Sequence, residues 1–173
     1  MTLDKIIEIL SYTIPSAITG LVAYFFFLNH TKNEEKKLKL SIIKENQKQS
    51  LPIKMQAYER MTLYLERINP SQLMLRVKSV NNDKIAYAQS VINTIEQEFE
   101  HNISQQIYIS EECWSVIISA KNGIKQLILK EEKNTSIIDA QELREAVLKE
   151  TLKKTSPSIS ALAFVKDEVN GLI

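Results

Sequence analysis

The sequence contains little glycine and proline. Only three of its 173 residues are glycine and four are proline, too few for a β-protein of many strands that turns about every ten residues. The glycines, Gly20, Gly123 and Gly171, stand far apart, so no glycine-rich turn is present to bring backbone amides against a phosphate. The sequence therefore excludes the common nucleotide-binding loops and predicts an all-α protein.

Cysteine and histidine are also scarce. Cys113 is the single cysteine, so no internal disulfide framework can form, and the unpaired thiol is typical of a reducing compartment. Cys113, His30 and His101 lie too far apart in sequence to form a zinc motif. Neither a G-x-S-x-G elbow nor an H-E-x-x-H pair occurs. We therefore expect no catalytic, metal-binding or cofactor-binding residues and no small-molecule substrate.

An excess of charge of either sign is missing as well. The 22 lysines and arginines nearly balance the 21 acidic residues, and the formal net charge is +1. No overall field therefore draws the chain to nucleic acid, and we expect no nucleic-acid partner. The 25% charged and 44% apolar residues are those of an ordinary folded chain, so disorder is not expected.

One segment lacks charge entirely. Residues 9–28 read ILSYTIPSAITGLVAYFFFL, twenty residues without a charged side chain. At 1.5 Å per residue such a helix is about 30 Å long, the thickness of the hydrocarbon core of a bilayer. Aromatic residues crowd its C-terminal end, as at a membrane interface, and Pro15 is tolerated in such a span. The pattern predicts a transmembrane helix in a membrane anchor, residues 1–28, with the lipid bilayer as a partner. The alternative is a buried core helix, but a small domain offers too few residues to bury so many apolar side chains.

The residues that flank this span predict its fate and orientation. Asp4 and Glu8 accompany Lys5 before the span, unlike the basic start of a cleaved signal peptide, and no A-x-A site follows. We therefore expect the anchor to be retained. Lysines are more frequent after the span than before it, which places the amino terminus outside and the rest of the chain in the cytoplasm. The expected location is the bacterial inner membrane. The lysines after the span are Lys32, Lys36, Lys37, Lys39, Lys44 and Lys48.

Residues 29–50 have neither glycine nor proline and are rich in Lys, Glu, Gln and Leu. These are good helix formers, so the transmembrane helix is predicted to continue as a helical stalk. Its lysines either touch anionic headgroups or keep a solvated helix soluble. Both interpretations stay open, because glutamates dilute the basic patch.

Residues 51–173 are predicted to form a cytoplasmic bundle of about five helices. Proline and capping residues mark the starts: Pro52 is predicted to end the stalk and begin a new helix, and Asn69-Pro70 a short one. Further starts are predicted at Ser110, at Asp139 with Glu142, and at Ser156-Pro157. A helix is predicted from Lys84 to Gln106, a loop over residues 80–84, short extended pieces at Gln106–Ile109 and Thr135–Ile138, and close packing or a kink at Gly123.

Apolar residues spaced three and four apart predict the inward faces of these helices. They provide enough apolar side chains for one core. The predicted inward residues are Ile53, Ala57, Tyr58, Met61, Tyr64, Leu65 and Ile68; Ile85, Ala88, Ile92, Ile95, Phe99 and Ile103; Cys113, Ile117, Ala120, Ile124 and Leu127; Leu143, Val147 and Thr151; and Ile159, Leu162, Val165, Val169 and Leu172.

The dipeptide Glu-Arg occurs twice, seven residues apart. On a helical wheel Glu59 and Glu66 lie about 20° apart, as do Arg60 and Arg67, and the two pairs flank Leu63 opposite the apolar arc. Two acids stacked on one helix do not face a cleft, as general acid–base catalysis requires. Two interpretations remain: the arginines pair with carboxylates on neighbouring helices, or these five residues form a surface for a protein partner.

A second candidate contact face lies in the anchor. Ser16, Gly20 and Ala23 share one side of the span, the small-residue pattern that permits close approach of two transmembrane helices. Together with the Glu-Arg surface, it predicts a protein partner or a homo-oligomer.

Two stretches carry a family resemblance. LPIKMQAYERMTLYLERINPSQLMLRV and IYISEECWSVIISAKNGI resemble an uncharacterised family of small bacterial proteins. Its members pair an N-terminal membrane helix with a helical cytoplasmic region, so the resemblance implies the same layout here. The family has no assigned activity and implies no functional residues.

Three functions are compatible with these observations. The first is a membrane-anchored, non-catalytic adaptor or accessory subunit that presents a helical module to a membrane complex or to its own copies. The second is a membrane-tethered helix-turn-helix regulator, although Glu96, Glu98 and Glu100 on its candidate recognition helix would repel phosphate. The third is an enzyme that uses Cys113 near a helix N-terminus, whose alternative role is a small buried residue.

Overall fold

The computed structural model describes residues 3–79 and 81–172, with the backbone alone at Leu3, Asp4 and Ile9. Residues 1 and 2 of the predicted anchor and Val80 of the predicted loop lie outside the described residues. Within that range the protein is all-α and has no β-strand, so the predicted fold class is confirmed. The helices are α1 (Leu3–Arg67), α2 (Pro70–Arg76), α3 (Lys84–Glu100), a 3-10 helix (Ile103–Tyr108), α4 (Glu111–Glu132), α5 (Ala140–Lys153) and α6 (Pro157–Asn170).

The chain forms two compact units, Met1–Ser50 and Leu51–Ile173. In the first unit α1 contains one stretch that is long and apolar enough to cross a membrane. None of the described side chains in this stretch is buried. The second unit contains the rest of α1 and all the other helices.

The prediction that Pro52 ends one helix and starts another is wrong. α1 runs without interruption through Pro52 to Arg67. An internal proline removes one backbone hydrogen bond and costs roughly 3 kcal/mol. Five residues that follow Pro52 on α1, and Ile68 directly after the helix, are at most 4% exposed. Burial of each large apolar side chain contributes about 1.5–3 kcal/mol. Burial of this face therefore outweighs the local cost. The six buried residues are Ala57, Tyr58, Met61, Tyr64, Leu65 and Ile68.

One core joins the helices of the second unit. α4 packs against α3, α5 and α6, and α5 also contacts α2 and α3. The ring of Phe99 stacks on Trp114 with centroids 5.4 Å apart and meets Tyr64 at 5.8 Å. Most of the predicted inward residues are buried, and the further buried members include Leu73, Met74, Tyr87, Val91, Ile128 and Ala161.

Several inward predictions fail at the ends of the apolar stripes. Ile53, Ile85, Ile103 and Ile159 are exposed, although the spacing placed them on the inner faces. Each lies at the first or last turns of its apolar stripe, where no neighbouring helix covers it. Leu172 is exposed as well, whereas Leu127, Thr151, Leu162 and Val169 are half-buried.

Side-chain caps begin three helices as predicted. Asn69 Oδ1 accepts from the Ser71 amide at 3.1 Å, and Ser110 Oγ accepts from the Cys113 amide at 3.0 Å. Asp139 Oδ1 accepts from the Glu142 amide at 2.8 Å. Each cap satisfies a backbone donor that the first helical turn leaves unpaired.

The predicted cap at Ser156 is wrong in its chemistry. Ser156 occupies the N-cap position of α6, but its hydroxyl bonds to the hydroxyl of Ser158 at 3.0 Å and caps no amide.

α3 has a side-chain cap that was not predicted from the sequence. Asp83 Oδ1 accepts a hydrogen bond from the Ile85 amide at 2.8 Å.

The segments around α3 and α4 differ from the prediction. α3 ends at Glu100 and not at Gln106, and residues 103–108 form the 3-10 helix, so only Ile109 is extended. Thr135–Ile138 is not an extended piece, because a turn at Asn134 accepts hydrogen bonds from the amides of Ser136 and Ile137. Gly123 marks close packing: a Cβ there would lie 3.2 Å from Pro157 Cγ.

Candidate functional site

The five predicted surface residues lie together on one side of α1. Their opposite side is the buried face of the core, so α1 turns the other face to solvent. Leu63 lies at the centre of the exposed face with 53% of its surface accessible. We call this face the Glu59–Arg67 surface. Its residues are Glu59, Arg60, Leu63, Glu66 and Arg67, all exposed.

Among the residues that the structure describes, ion pairs engage only one of the four charged residues of this surface. Arg67 Nη1 lies 3.0 Å from Glu98 Oε2 on α3, and Arg76 Nη1 lies 3.3 Å from Glu98 Oε1. Of the two interpretations, an ion pair with a neighbouring helix therefore applies to Arg67. In the described part of the chain, Glu59, Arg60 and Glu66 make no ion pair and remain available to a partner.

Two depressions flank Leu63. One, of about 340 Å³, lies between α1 and α3 and is lined by Arg60, Tyr64, Arg67 and Glu98 among others. The other, of about 300 Å³, lies towards α2 and includes Glu66, Gln72 and Arg76. Leu63 and Arg67 contribute to the walls of both. Leu63 is thus a ridge between two hollows, each of which includes charged residues in its walls.

Tyr64 lies beneath the first hollow. It is 1% exposed, and its hydroxyl is buried without a hydrogen-bond partner among the described residues. Burial, together with the negative charges of Glu96 and Glu98, raises the pKa of Tyr64 well above its ordinary value. The hydroxyl stays neutral, so the ring serves packing against Phe99 and carries no charge to a ligand.

The predicted packing face of the anchor has no partner side chain within the described first unit. Gly20 has nothing within 4 Å of the position that a Cβ would take. The hydroxyl of Ser16 donates to the carbonyl of Thr13 at 2.9 Å, which satisfies it within the helix. Ser16, Gly20 and Ala23 are all exposed.

Cys113 is placed where a nucleophile would be inert. It stands in the first turn of α4 but is 0% exposed. Burial, and then the hydrogen bond and negative charge of Glu168, raise the pKa of Cys113 to about 12. A thiolate at neutral pH is the reactive form, and this environment suppresses it.

A polar cluster that the sequence did not predict lies next to Cys113. The Tyr58 hydroxyl donates to Glu168 Oε1 at 2.7 Å, and this bond joins α1 to α6. The sequence around each residue gives little indication of this hydrogen bond. Tyr58 was assigned to the apolar arc, and Glu168 lies among charged residues near the C-terminus. Since 110 positions separate them, no periodic pattern in the sequence connects the pair.

Glu96 and Glu98 of α3, the candidate recognition helix, form ion pairs with residues of neighbouring helices. The Lys121 ammonium lies 3.0 Å from Glu96 Oε2, and Lys125 also pairs with Glu96, while Glu98 holds two arginines. These pairs tie α3 to its neighbours. Over residues 3–79 and 81–172, no group of three or more His, Cys, Asp or Glu side chains is placed to hold a metal ion.

Comparison with known proteins assigns the family. The chain belongs to a Family of unknown function (DUF7935), whose model matches residues 4–172. The predicted membership of an uncharacterised family is thereby confirmed. No curated protein and no solved structure matches the chain. Membership of this family assigns no activity to the chain.

Proposed function

We propose that this family member is a membrane-anchored, non-catalytic adaptor or accessory subunit. Residues 1–28 hold it in the bacterial inner membrane with the amino terminus outside, and residues 51–173 lie in the cytoplasm. The helical bundle presents the Glu59–Arg67 surface to a protein of a membrane complex or to another copy of the chain.

The exposed apolar stretch of α1 carries this proposal. Phe25, Phe26 and Phe27 are 61%, 72% and 71% exposed, and no residue of the described first unit covers them. Each large apolar side chain left in water forfeits about 1.5–3 kcal/mol relative to burial. Lipid removes that cost along the whole stretch, whose length suits the hydrocarbon core of a bilayer.

The composition of the Glu59–Arg67 surface supports a protein partner. Protein interfaces place an apolar centre within a polar rim, and Leu63 between two carboxylates and two guanidiniums has this arrangement. Buried Cys113 argues against thiol catalysis, and the paired glutamates of α3 argue against binding of nucleic acid through that helix.

Two measurements test the proposal. A reporter that fluoresces only in the cytoplasm, fused after residue 173, is expected to be active, and a reporter that works only after export is expected to be silent. The reverse result would contradict the orientation.

Purification from native membranes in mild detergent tests the role as a subunit. We expect a defined partner, or a second copy, to accompany the wild-type chain and the control Ile107→Asp, whose side chain is exposed on the 3-10 helix and is not part of the Glu59–Arg67 surface. We expect Leu63→Asp to lose it. Recovery of the wild-type chain as a lone monomer, even when native membranes are chemically crosslinked before solubilisation, would contradict an adaptor role.

A further inference from the structure

We propose that the Glu59–Arg67 surface binds the same surface of a second copy as a parallel two-fold pair, with Leu63 against Leu63 on the axis. Each glutamate of one copy then faces an arginine of the other: Glu59 meets Arg60, and Glu66 meets Arg67. The inference rests on the proposed function, because two chains anchored in one membrane with one orientation bring the same surface to the same side of the bilayer.

The spacing of the charges determines this pairing. At 100° per residue, both glutamates lie about 40–60° to one side of Leu63, and both arginines lie as far to the other side. A two-fold axis parallel to α1 reverses the sides, so the acidic ridge of one copy faces the basic ridge of its partner. Glu59 and Arg60 differ in height by a single rise of about 1.5 Å, as do Glu66 and Arg67.

An antiparallel pair has the opposite electrostatics. It keeps each ridge on the same side and only inverts the heights, so Glu59 of one copy would meet Glu66 of the other. The arginines would meet in the same way. Like charges in contact repel, so the pattern selects the parallel arrangement.

The residues of this pair are free to engage. Glu59, Arg60 and Glu66 have no ion pair within the described chain, and Leu63 is exposed. Arg67 uses Nη1 on Glu98, and a guanidinium has five N–H donors. A new contact to a glutamate of the partner therefore leaves the internal pair intact.

The surface relief also suits a second helix. The hollows of about 340 and 300 Å³ on either side of Leu63 give room for the longer charged side chains of a partner. Leu63, as the ridge between them, meets its counterpart first. Helices in contact lie 8–10 Å apart, a separation at which two leucines fill the centre.

Membrane anchoring makes such a small interface effective. An exposed ion pair contributes only about 0–1 kcal/mol, so four pairs and one leucine contact would give a weak dimer in dilute solution. Two chains confined to the same bilayer meet at a high effective concentration, as linked binding partners do. The contact is therefore expected in membranes and is concentration-dependent after solubilisation.

Cysteine crosslinking of the full chain in native membranes tests the axis. With a mild oxidant, Leu63→Cys is expected to form a disulfide dimer, because residues on the axis bring their Cα atoms within the range of 4.4–6.8 Å that a disulfide needs. Buried Cys113 gives wild type no crosslink. The control Ile107→Cys, on an exposed position of the 3-10 helix, is expected to stay monomeric.

Charge reversal tests the partner's identity in the Leu63→Cys background. Glu59→Arg sets arginine against Arg60 of the other copy, and Arg60→Glu sets two glutamates together, so each is expected to lower the crosslinked fraction about tenfold. The double reversal restores opposite charges and is expected to restore the dimer. Neither residue has an internal ion pair, so loss of folding does not explain these effects.

Two outcomes would overturn the inference: Leu63→Cys crosslinks no better than Ile107→Cys, or the double reversal stays as monomeric as the single ones. A Leu63→Cys crosslink to a different polypeptide, with no self-crosslink, would overturn the two-fold pair and leave the adaptor function standing. Release of the wild-type chain from membranes would instead refute the proposed function.

Discussion

The hydroxyl of Tyr58 donates a 2.7 Å hydrogen bond to Glu168 Oε1 and thereby ties the last part of α1 to α6. Tyr58 is 4% exposed, so water replaces a lost bond poorly. The same carboxylate lies beside Cys113 at the start of α4. One glutamate near the C-terminus therefore holds three helices of the second unit together.

Removal of this hydroxyl is expected to destabilise the bundle. Tyr58→Phe keeps the ring but deprives a half-buried carboxylate of its donor, which costs about 1–3 kcal/mol. Thermal unfolding of the full chain in mild detergent, followed by circular dichroism, should show a lower midpoint. Tyr108→Phe, on an exposed tyrosine, is the matched control, and equal midpoints for the two variants would contradict the prediction.

Acid is expected to weaken the bundle through Glu168. Burial favours the protonated form, but the hydrogen bond from Tyr58 and the polar groups of Ser110 and Cys113 outweigh it and hold the pKa of Glu168 below its ordinary value. A carboxylate whose pKa is lower in the folded state stabilises above its unfolded pKa, and this contribution is lost as pH falls through the folded pKa.

The thermal midpoint should therefore fall as the pH drops below about 4.3, the ordinary pKa of glutamate. Glu96, whose pKa is also lowered by hydrogen bonds from Lys125 and Lys121 that outweigh its burial, contributes to the same decline. Tyr58→Phe isolates the share of Glu168, since it should flatten the decline. The same pH dependence in Tyr58→Phe and wild type would contradict this assignment.

Gly123 and Pro157 are expected to be energetically coupled. Gly123→Ala adds a Cβ that lies 3.2 Å from Pro157 Cγ, a tight contact that offsets the gain of about 1 kcal/mol from replacing glycine in a helix. Pro157→Ala removes the Cγ atom. A double-mutant cycle should therefore show that Gly123→Ala is more favourable by about 0.5–2 kcal/mol in the Pro157→Ala background. Additive effects of the two substitutions would contradict a tight contact between α4 and α6 at Gly123 and Pro157.

Cys113 is expected to be silent towards thiol reagents in the folded chain. With its pKa raised to about 12 by burial and by Glu168, a negligible fraction is thiolate at neutral pH. A disulfide-exchange reagent should detect no thiol before unfolding and one afterwards. Ile107→Cys supplies a reactive comparison, because that position is exposed. Rapid labelling of wild-type protein would instead favour an enzyme that uses Cys113.

Local rules predicted the parts of the fold that local interactions determine. The caps at Asn69, Ser110 and Asp139 each join atoms two or three residues apart, so short motifs identify them. The same reasoning failed at Pro52, because the burial that carries α1 through the proline comes from helices far along the chain.

Helical periodicity gave the direction of the buried faces but not their ends. Ala57 and Met61 are buried as predicted, whereas Ile53, one turn earlier on the same stripe, is 49% exposed. Whether a neighbour reaches that turn depends on the tertiary arrangement. The ion pair of Arg67 with Glu98 and the hydrogen bond of Tyr58 to Glu168 depend on the tertiary arrangement as well. The sequence therefore predicts which residues form the Glu59–Arg67 surface but not which residues they contact.

The most direct test of the account is alkaline carbonate extraction of native membranes that contain the full chain. We expect wild type to remain in the pellet, because the span is held by lipid along about 30 Å. Ile18→Arg combined with Leu21→Arg should release it, since each arginine near the centre of the bilayer costs about 2.5–3.5 kcal/mol. Leu40→Arg, a like change beyond the apolar stretch, should stay in the pellet. Recovery of intact wild-type chain in the supernatant would contradict the membrane anchor and the function built on it.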